Sequence, residues 1–182
     1  MEYLNANVQQ SRAIPRRTPA CWSPPSKQNY KGNFDAAFFD ALGYARIGVV
    51  FRDHMGQIIS ALSQRIPLIH SMELAEAMAT RHAILFAKEL SLFNAKIERD
   101  CSRVITILDE MGRSSTLFGH ITDECKRLGV AFRFCKFKHV RREGNRLAHS
   151  LARRAILFAD MNVWVESIPS DLDVVFQSDL FQ

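Results

Sequence analysis

The sequence lacks the features that mark membrane-spanning, secreted or zinc-binding proteins. Its 182 residues contain no apolar run of about 18 residues, so no transmembrane helix is predicted. The N-terminal residues are polar and have no apolar signal core, which favours an intracellular protein of the nucleus or the cytoplasm. The four cysteines are far apart and form no Cys-x-x-Cys pair, so we expect reduced thiols and no zinc site.

Two adjoining stretches have strongly unequal charge: the first has almost no acidic residues, and the second has no basic ones. Residues 126–154 contain ten Lys or Arg and a single acid, whereas residues 155–182 contain five acids and no Lys or Arg. Four prolines interrupt the polar residues 1–30. We therefore predict a flexible proline-rich linker at 1–30, one folded domain at 31–160 and an acidic C-terminal tail at 161–182. The basic stretch indicates an anionic partner, and nucleic acid is the commonest polyanion.

The apolar periodicity predicts an α/β fold. Period-two patterns between residues 33 and 65 indicate three strands, and their short connections make them antiparallel. Two further strands are predicted at 96–100 and 130–139, and helices at about 71–90, 101–111, 114–129 and 145–159. Ser71 is expected to cap the first helix and Asn145 the last. The expected sheet is mixed and five-stranded, with three antiparallel strands followed by two parallel ones, and helices flank it.

Three acids lie where this order of elements would bring them together. Asp35 is in the middle of the first strand, Glu76 is in the first turns of the long helix, and Asp100 ends the fourth strand. Sites on α/β sheets form at strand ends and helix starts. Converging carboxylates repel one another unless a divalent cation lies between them, and hard oxygen ligands suit Mg²⁺ or Mn²⁺.

Each acid also has an ordinary structural interpretation. An aspartate in the position of Asp100 commonly caps a helix, and Glu76 could face solvent with Glu73 as its rival for any role. Asp35 is the hardest to explain in this way, because strands disfavour aspartate. The basic stretch could similarly be a solvated turn and helix start.

Several segments together resemble the ribonuclease H type-1 superfamily, in particular its plant branch related to the ribonuclease H domains of non-LTR retrotransposon polyproteins. The matching segments are Trp22–Pro25, Lys31–Phe38, Ile47–Asp53, Ala75–Ala79, Glu98–Cys101 and Phe137–Ala152. The resemblance implies the ribonuclease H-like fold and endonucleolytic cleavage of the RNA strand of RNA–DNA hybrids. It also implies two Mg²⁺ ions, with Mn²⁺ as a substitute.

The resemblance assigns roles to individual residues. Asp35, Glu76 and Asp100 match its metal-binding acids, and His139 matches a histidine that assists proton transfer or product release. His149 stands where the family has a fourth acid, so it is the expected fourth metal ligand and catalytic group, although neutral imidazole prefers softer ions than Mg²⁺. The predicted nucleic-acid contacts are Lys138, Arg141, Arg142, Asn145 and Arg146.

Two functional hypotheses stay open, and a third is disfavoured. The first is an active, Mg²⁺-dependent hybrid ribonuclease, and the second is a nucleic-acid-binding module whose catalysis His149 has weakened. The third, a protein-interaction domain, is disfavoured because Asp35, Glu76 and Asp100 are all present.

Gly32, in the first strand, is expected to loosen that strand.

Overall fold

The computed structural model describes residues 21–69, 71–101, 118–154 and 160–181. Within these ranges the chain forms six β-strands and four α-helices. The strands are β1 (Tyr30–Phe39), β2 (Tyr44–Arg52), β3 (Ile58–Pro67), β4 (Asn94–Arg99), β5 (Phe134–His139) and β6 (Met161–Val165). The helices are α1 (Met72–Glu89), α2 (Gly119–Gly129), α3 (Arg146–Arg153) and α4 (Asp173–Leu180). The helix predicted at 101–111 lies outside the described residues, apart from Cys101 at its start.

The strands form one mixed sheet in the order β5-β4-β1-β2-β3-β6. The first three strands are antiparallel, and β1, β4 and β5 run parallel to one another. The α/β class and the mixed sheet are therefore confirmed, but the predicted number of five strands is wrong. The sixth strand, β6, pairs antiparallel with β3 and comes from the segment predicted to be an acidic tail. Its five residues make it too short to identify without its partner.

Alternation along β1 divides the protein into two layers. Phe34 points into the larger apolar core, which α1 and α2 cover. Asp35 is paired with Gly48 of β2 and faces the other side, where α3 packs. A smaller apolar cluster lies on that side, built from Val50, Ala61, Leu147, Leu151 and Leu172 among others. The adjacent residues Phe34 and Asp35 therefore face opposite sides of the sheet, one in the apolar core and one on the side of α3.

Helix α1 begins as predicted. The Ser71 side chain accepts a hydrogen bond from the backbone N–H of Leu74 at 3.3 Å and so caps the first turn. The buried side of the helix carries small residues, Ala75, Ala79, Ala83 and Ala87 among them. Small side chains let α1 lie close to the sheet, and Glu76 is buried on the same helix.

The start of β5 differs from the prediction of a strand at 130–139. Residues 130–133 turn after α2, and Phe134 opens the strand with 43% of its surface exposed. Phe132 is buried instead, with its ring edge-on to Phe93. The strand lies at the sheet edge, where an aromatic residue can face solvent.

Two glycines admit close neighbours. A Cβ on Gly48 would lie 2.4 Å from the backbone nitrogen of Ala152 and 2.5 Å from the carbonyl oxygen of Ala148, so α3 rests directly on β2. A Cβ on Gly32 would lie 2.3 Å from the ring of Phe51. Gly32 therefore makes room for a buried aromatic ring on the neighbouring strand, and the expected loosening of β1 is not observed.

Residues outside the predicted domain boundaries also contact the sheet. The indole N–H of Trp22 donates to the Asn33 side-chain oxygen at 3.0 Å. Asp179 of α4 forms a 3.1 Å ion pair with Arg52 of β2, and both side chains are fully buried. In the part of the chain that the structure describes, no helix is long and apolar enough to cross a bilayer.

Candidate active site

A cleft of about 410 Å³ opens beside the end of β4 and the first turns of α1 and α3. It lies where strand ends and helix starts meet, as ligand sites on α/β sheets commonly do. Its lining includes Asp35, Glu76, Arg99, Asp100, Arg142 and His149. The three predicted acids and His149 therefore share one cleft, although they are far apart in the sequence.

Asp35 is buried and contacts two basic side chains. Its Oδ2 atom lies 2.6 Å from Nδ1 of His149, and its Oδ1 atom lies 3.8 Å from the guanidinium of Arg99. Burial raises the pKa of Asp35 above its usual value, and the nearby Asp100 carboxylate adds to the rise. The hydrogen bond from His149 and the charge of Arg99 act in the opposite direction.

The contacts of His149 identify its tautomer. Nη2 of Arg142 lies 3.0 Å from Nε2 of the imidazole. A guanidinium can only donate, so Nε2 accepts and the ring proton of neutral His149 is on Nδ1, from which it is donated to Asp35. Both ring nitrogens are then engaged. In this arrangement both ring nitrogens of His149 contact protein side chains and the imidazole orients Asp35. The role of His149 as a fourth metal ligand stays a prediction.

Glu76 is held by two residues that flank Asp100 in the sequence. The Cys101 thiol donates to Oε2 of Glu76 at 2.7 Å, and Nη2 of Arg99 lies 3.5 Å from Oε1. Arg99 also donates from Nη1 to the Glu76 backbone carbonyl at 3.4 Å. Sequence reasoning assigned no role to Arg99 or Cys101. A signal was available, because a charged residue ending a buried strand needs a partner.

His139 lies next to the third acid. Its side chain is exposed, and Nε2 is 3.0 Å from the backbone oxygen of Asp100. The end of β5 brings it there, because Arg99 and His139 are paired in the parallel register of β4 and β5. An exposed imidazole beside a cleft is suited to exchanging protons with solvent.

The acidic side chains of the cleft match the chemistry of a hard divalent cation. Asp35, Glu76 and Asp100 offer carboxylate oxygens, the ligands that Mg²⁺ and Mn²⁺ prefer, so the chemistry fits. Among the described residues, however, no group of three or more His, Cys, Asp or Glu side chains has metal-binding geometry. Arg99 lies against both Asp35 and Glu76 in this structure.

The predicted nucleic-acid contacts divide into exposed and engaged residues. Lys138, Arg141 and Arg142 are exposed. Arg142 lines the cleft and contacts His149, and Lys138 and Arg141 line a separate pocket that also includes His139. Arg146 is instead paired with Asp179 at 3.1 Å and donates to the backbone of Ser178. These contacts hold its guanidinium against α4, which leaves three cations of the predicted set facing solvent.

Asn145 does not occupy the position expected of a nucleic-acid contact. It is 0% exposed, and its amide nitrogen donates to the Phe34 carbonyl oxygen at 3.1 Å. Asn145 is the N-cap residue of α3, as predicted, but its side chain makes no capping hydrogen bond. Because Phe34 precedes Asp35, this bond joins the start of α3 to the strand that carries the first acid. Asn145 is therefore a positioning residue.

Comparison with known proteins identifies the family. The reverse transcriptase-like family matches residues 33–155, which is more than half of the chain. The chain belongs to the reverse transcriptase-like family. That range begins just before Asp35 and ends just after α3, so it spans all the acids of the cleft. No curated protein matches the sequence.

Solved structures of similar shape are ribonucleases H and a viral relative. Ribonuclease H1 from Halobacterium salinarum NRC-1 has 22% identity and a TM-score of 0.62, over 68% of this chain and 94% of that chain. LC11-RNase H1 in complex with an RNA/DNA hybrid, a protein isolated from compost, has 19% identity and a TM-score of 0.59, over 70% and 96%. The foamy viral protease-reverse transcriptase has 16% identity and a TM-score of 0.54, over 81% and 22%. The ribonuclease H-like fold expected from the resemblance is confirmed.

Proposed function

We propose that this reverse transcriptase-like chain binds RNA–DNA hybrids and hydrolyses their RNA strand endonucleolytically, as a divalent-metal-dependent ribonuclease H. The observation that carries the proposal is the convergence of Asp35, Glu76 and Asp100 on one cleft of a ribonuclease H-like fold. The hybrid-bound LC11-RNase H1 supports the substrate class. The plant, retrotransposon-related origin inferred from the sequence is part of the same proposal.

The side chains of the cleft have distinct roles in this proposal. Asp35, Glu76 and Asp100 would hold Mg²⁺, as two ions in the two-metal arrangement, or Mn²⁺. The bound cations would supply electrostatic stabilisation of the charge that develops on the phosphodiester. His149 keeps Asp35 oriented through the 2.6 Å hydrogen bond, and His139 exchanges protons beside Asp100.

Binding of the hybrid is assigned to the exposed cations among the predicted nucleic-acid contacts. Lys138, Arg141 and Arg142 carry three positive charges at the end of β5 and the turn before α3. Arginine and lysine there neutralise backbone phosphates, which gives affinity without reading the base sequence. Recognition of the hybrid would then depend on helix shape and on 2′-hydroxyl contacts.

A second candidate function is a hybrid-binding module with weak cleavage. The observation that favours it is that His149 occupies the position of the fourth acid and commits both ring nitrogens to protein partners. The second metal position would then lack one negative ligand.

The experiment is cleavage of a labelled RNA–DNA hybrid in Mg²⁺, Mn²⁺ or EDTA. Wild type should cleave the RNA strand with either metal and lose activity in EDTA, and Asp35→Asn should lower the rate by at least about 100-fold. Asp171→Asn, which alters an exposed acid paired with Arg154, is the matched control and should retain the wild-type rate. A wild-type rate no higher than that of Asp35→Asn would contradict the ribonuclease proposal.

Binding and cleavage measured together separate the two candidates. Tight hybrid binding with slow cleavage, and a large gain in the Mg²⁺ rate for His149→Asp, would favour the binding module. A reduced Mg²⁺ rate for His149→Asp would show instead that the imidazole serves the site as it is. Loss of hybrid binding in a Lys138→Ala/Arg141→Ala variant would support the assigned binding surface.

A further inference from the structure

Arg99 places a buried positive charge between two of the acids proposed to bind metal. Its guanidinium lies 3.8 Å from Oδ1 of Asp35 and 3.5 Å from Oε1 of Glu76, and its side chain is only 3% exposed. The strand register explains the position, because Arg99 is the last residue of β4 and its alternation turns it toward the ring of Phe34, 5.0 Å away. The two carboxylates therefore already have a cation.

The ion pairs of Arg99 are long. Charge-assisted hydrogen bonds between guanidinium and carboxylate are usually about 2.7–2.9 Å, so separations of 3.5 and 3.8 Å neutralise charge without clamping either group. The Nε atom of Arg99 is buried and has no hydrogen-bond partner. A buried donor without a hydrogen-bond partner costs free energy. The Arg99 side chain therefore loses less when it moves away as a divalent cation binds the carboxylates.

The other contacts of the two carboxylates complete this arrangement. Oδ2 of Asp35 accepts from His149 and Oε2 of Glu76 accepts from Cys101. Arg99 thus lies against the oxygen of each carboxylate that His149 and Cys101 do not contact. Asp35 and Glu76 would both be needed to hold a divalent cation in the proposed function.

We propose that Arg99 is a resident counter-cation of the cleft, which holds Asp35 and Glu76 in the absence of metal and competes with divalent cations for them. The inference rests on the proposed function, because it concerns the same carboxylates. It makes Arg99 a positioning residue that sets the metal concentration at which the cleft fills. A divalent cation must either displace the guanidinium or bind within a few ångströms of its positive charge. Both the displacement and the repulsion weaken the binding of the divalent cation.

The test is the binding of Mn²⁺ alone to the full chain, measured by isothermal titration calorimetry and by the electron paramagnetic resonance signal of free Mn²⁺. Removing the charge in Arg99→Gln should tighten Mn²⁺ binding about 10- to 100-fold. Arg99→Lys keeps the charge and should bind Mn²⁺ nearly as weakly as wild type. Arg81→Gln, which removes a charge from α1 at a residue paired with Glu124, is the matched control and should change the affinity less than about twofold.

The outcomes distinguish this inference from the proposed function. Equal or weaker Mn²⁺ binding by Arg99→Gln, with measurable binding by wild type, overturns the role of Arg99 and leaves the metal site standing. No Mn²⁺ binding by either protein at millimolar concentration overturns both. A purely structural role for Arg99 predicts loss of affinity in Arg99→Gln, and so it predicts a change of the opposite sign.

If Arg99→Gln does not fold, a measurement on the wild-type protein still tests the role of Arg99. In a Mg²⁺ titration followed by NMR, the side-chain Nε–H resonance of Arg99 should shift and exchange faster with water as the guanidinium leaves its partners. An Arg99 resonance that stays unchanged while the carboxyl resonances of Asp35 and Glu76 respond would overturn the inference.

Discussion

Arg52 and Asp179 form an ion pair between side chains that are both fully buried and 127 residues apart. Burial lowers the pKa of Arg52 to about 10, and the charge of Asp179 acts in the opposite direction, so the guanidinium stays protonated at neutral pH. The indole of Trp22 lies 3.9 Å below the same guanidinium. A buried charge pair of this kind binds the C-terminal segment to β2.

Removing one partner of this pair is predicted to be costly. In Asp179→Asn the Arg52 charge would remain buried without a counter-charge, and the free energy of unfolding should fall by about 3–5 kcal/mol. Urea unfolding at neutral pH measures this loss in the free energy of unfolding. Asp171→Asn, at an exposed pair with Arg154, should lose about 1 kcal/mol or less. Similar small losses in both variants would mean that the buried pair contributes little.

At the scale of elements, the contact between α3 and β2 positions the first acid. Gly48 is the register partner of Asp35, and its missing side chain lets the backbone of α3 approach the strand. The same approach brings His149 within hydrogen-bonding distance of Asp35. Asn145 strengthens the contact from the start of the helix by donating to the Phe34 carbonyl. The geometry of Asp35 therefore depends on how closely one helix rests on one strand.

A side chain at Gly48 should separate these elements. The Cβ of Gly48→Ala would meet backbone atoms of α3, which cannot rotate away, so we expect a loss of about 1–3 kcal/mol in the free energy of unfolding. Hybrid cleavage should fall as well, because His149 would move from Asp35.

Gly129→Ala is the control for this prediction. Its Cβ would meet only the Cys135 sulfur at 4.0 Å, an ordinary contact, so its stability should match or exceed that of wild type. Equal stability of the two alanine variants, measured by urea unfolding, would show that α3 can shift without cost.

At the scale of the whole molecule, the charge asymmetry of the sequence is partly neutralised within the fold. Acids of the C-terminal segment pair with arginines from other elements, as Asp160 does with Arg65 and Asp171 with Arg154. Asp179 pairs with both Arg52 and Arg146. Among the predicted nucleic-acid contacts, Lys138, Arg141 and Arg142 stay exposed. The acidic segment therefore neutralises several arginines, which reduces the positive charge available to bind a polyanion.

Ending the chain at residue 160, the predicted domain boundary, should destabilise the protein. The truncated chain would expose the edge of β3, uncover apolar residues such as Val50 and Ala61, and leave Arg52 without Asp179. We expect the free energy of unfolding to fall by at least about 3–5 kcal/mol. A chain ending at Leu180 keeps the pair and should unfold at the wild-type urea concentration. A midpoint for the shorter chain equal to wild type would support the boundary at 160.

The sequence by itself predicted the order of the described elements from β1 to α3 and located the three acids along them. Alternation along β1 and β2, the Ser71 cap and the small-residue side of α1 are local patterns, and local patterns specify strands and helices. The same patterns placed Asp35 in β1 and Glu76 in α1, where the structure has them, whereas Asp100 directly follows β4 and does not end it. The sixth strand could not be found in this way, because its signal is five residues long and its partner β3 lies about 100 residues earlier.

Only the tertiary structure decided what each charged or polar side chain contacts. It brought Arg99 to Asp35 and Glu76, turned His149 into a hydrogen-bond donor to Asp35, buried Asn145 and engaged Arg146 with Asp179. The reason is physical: local periodicity shows whether a side chain faces inward, but the partner that offsets its desolvation is supplied by distant parts of the chain.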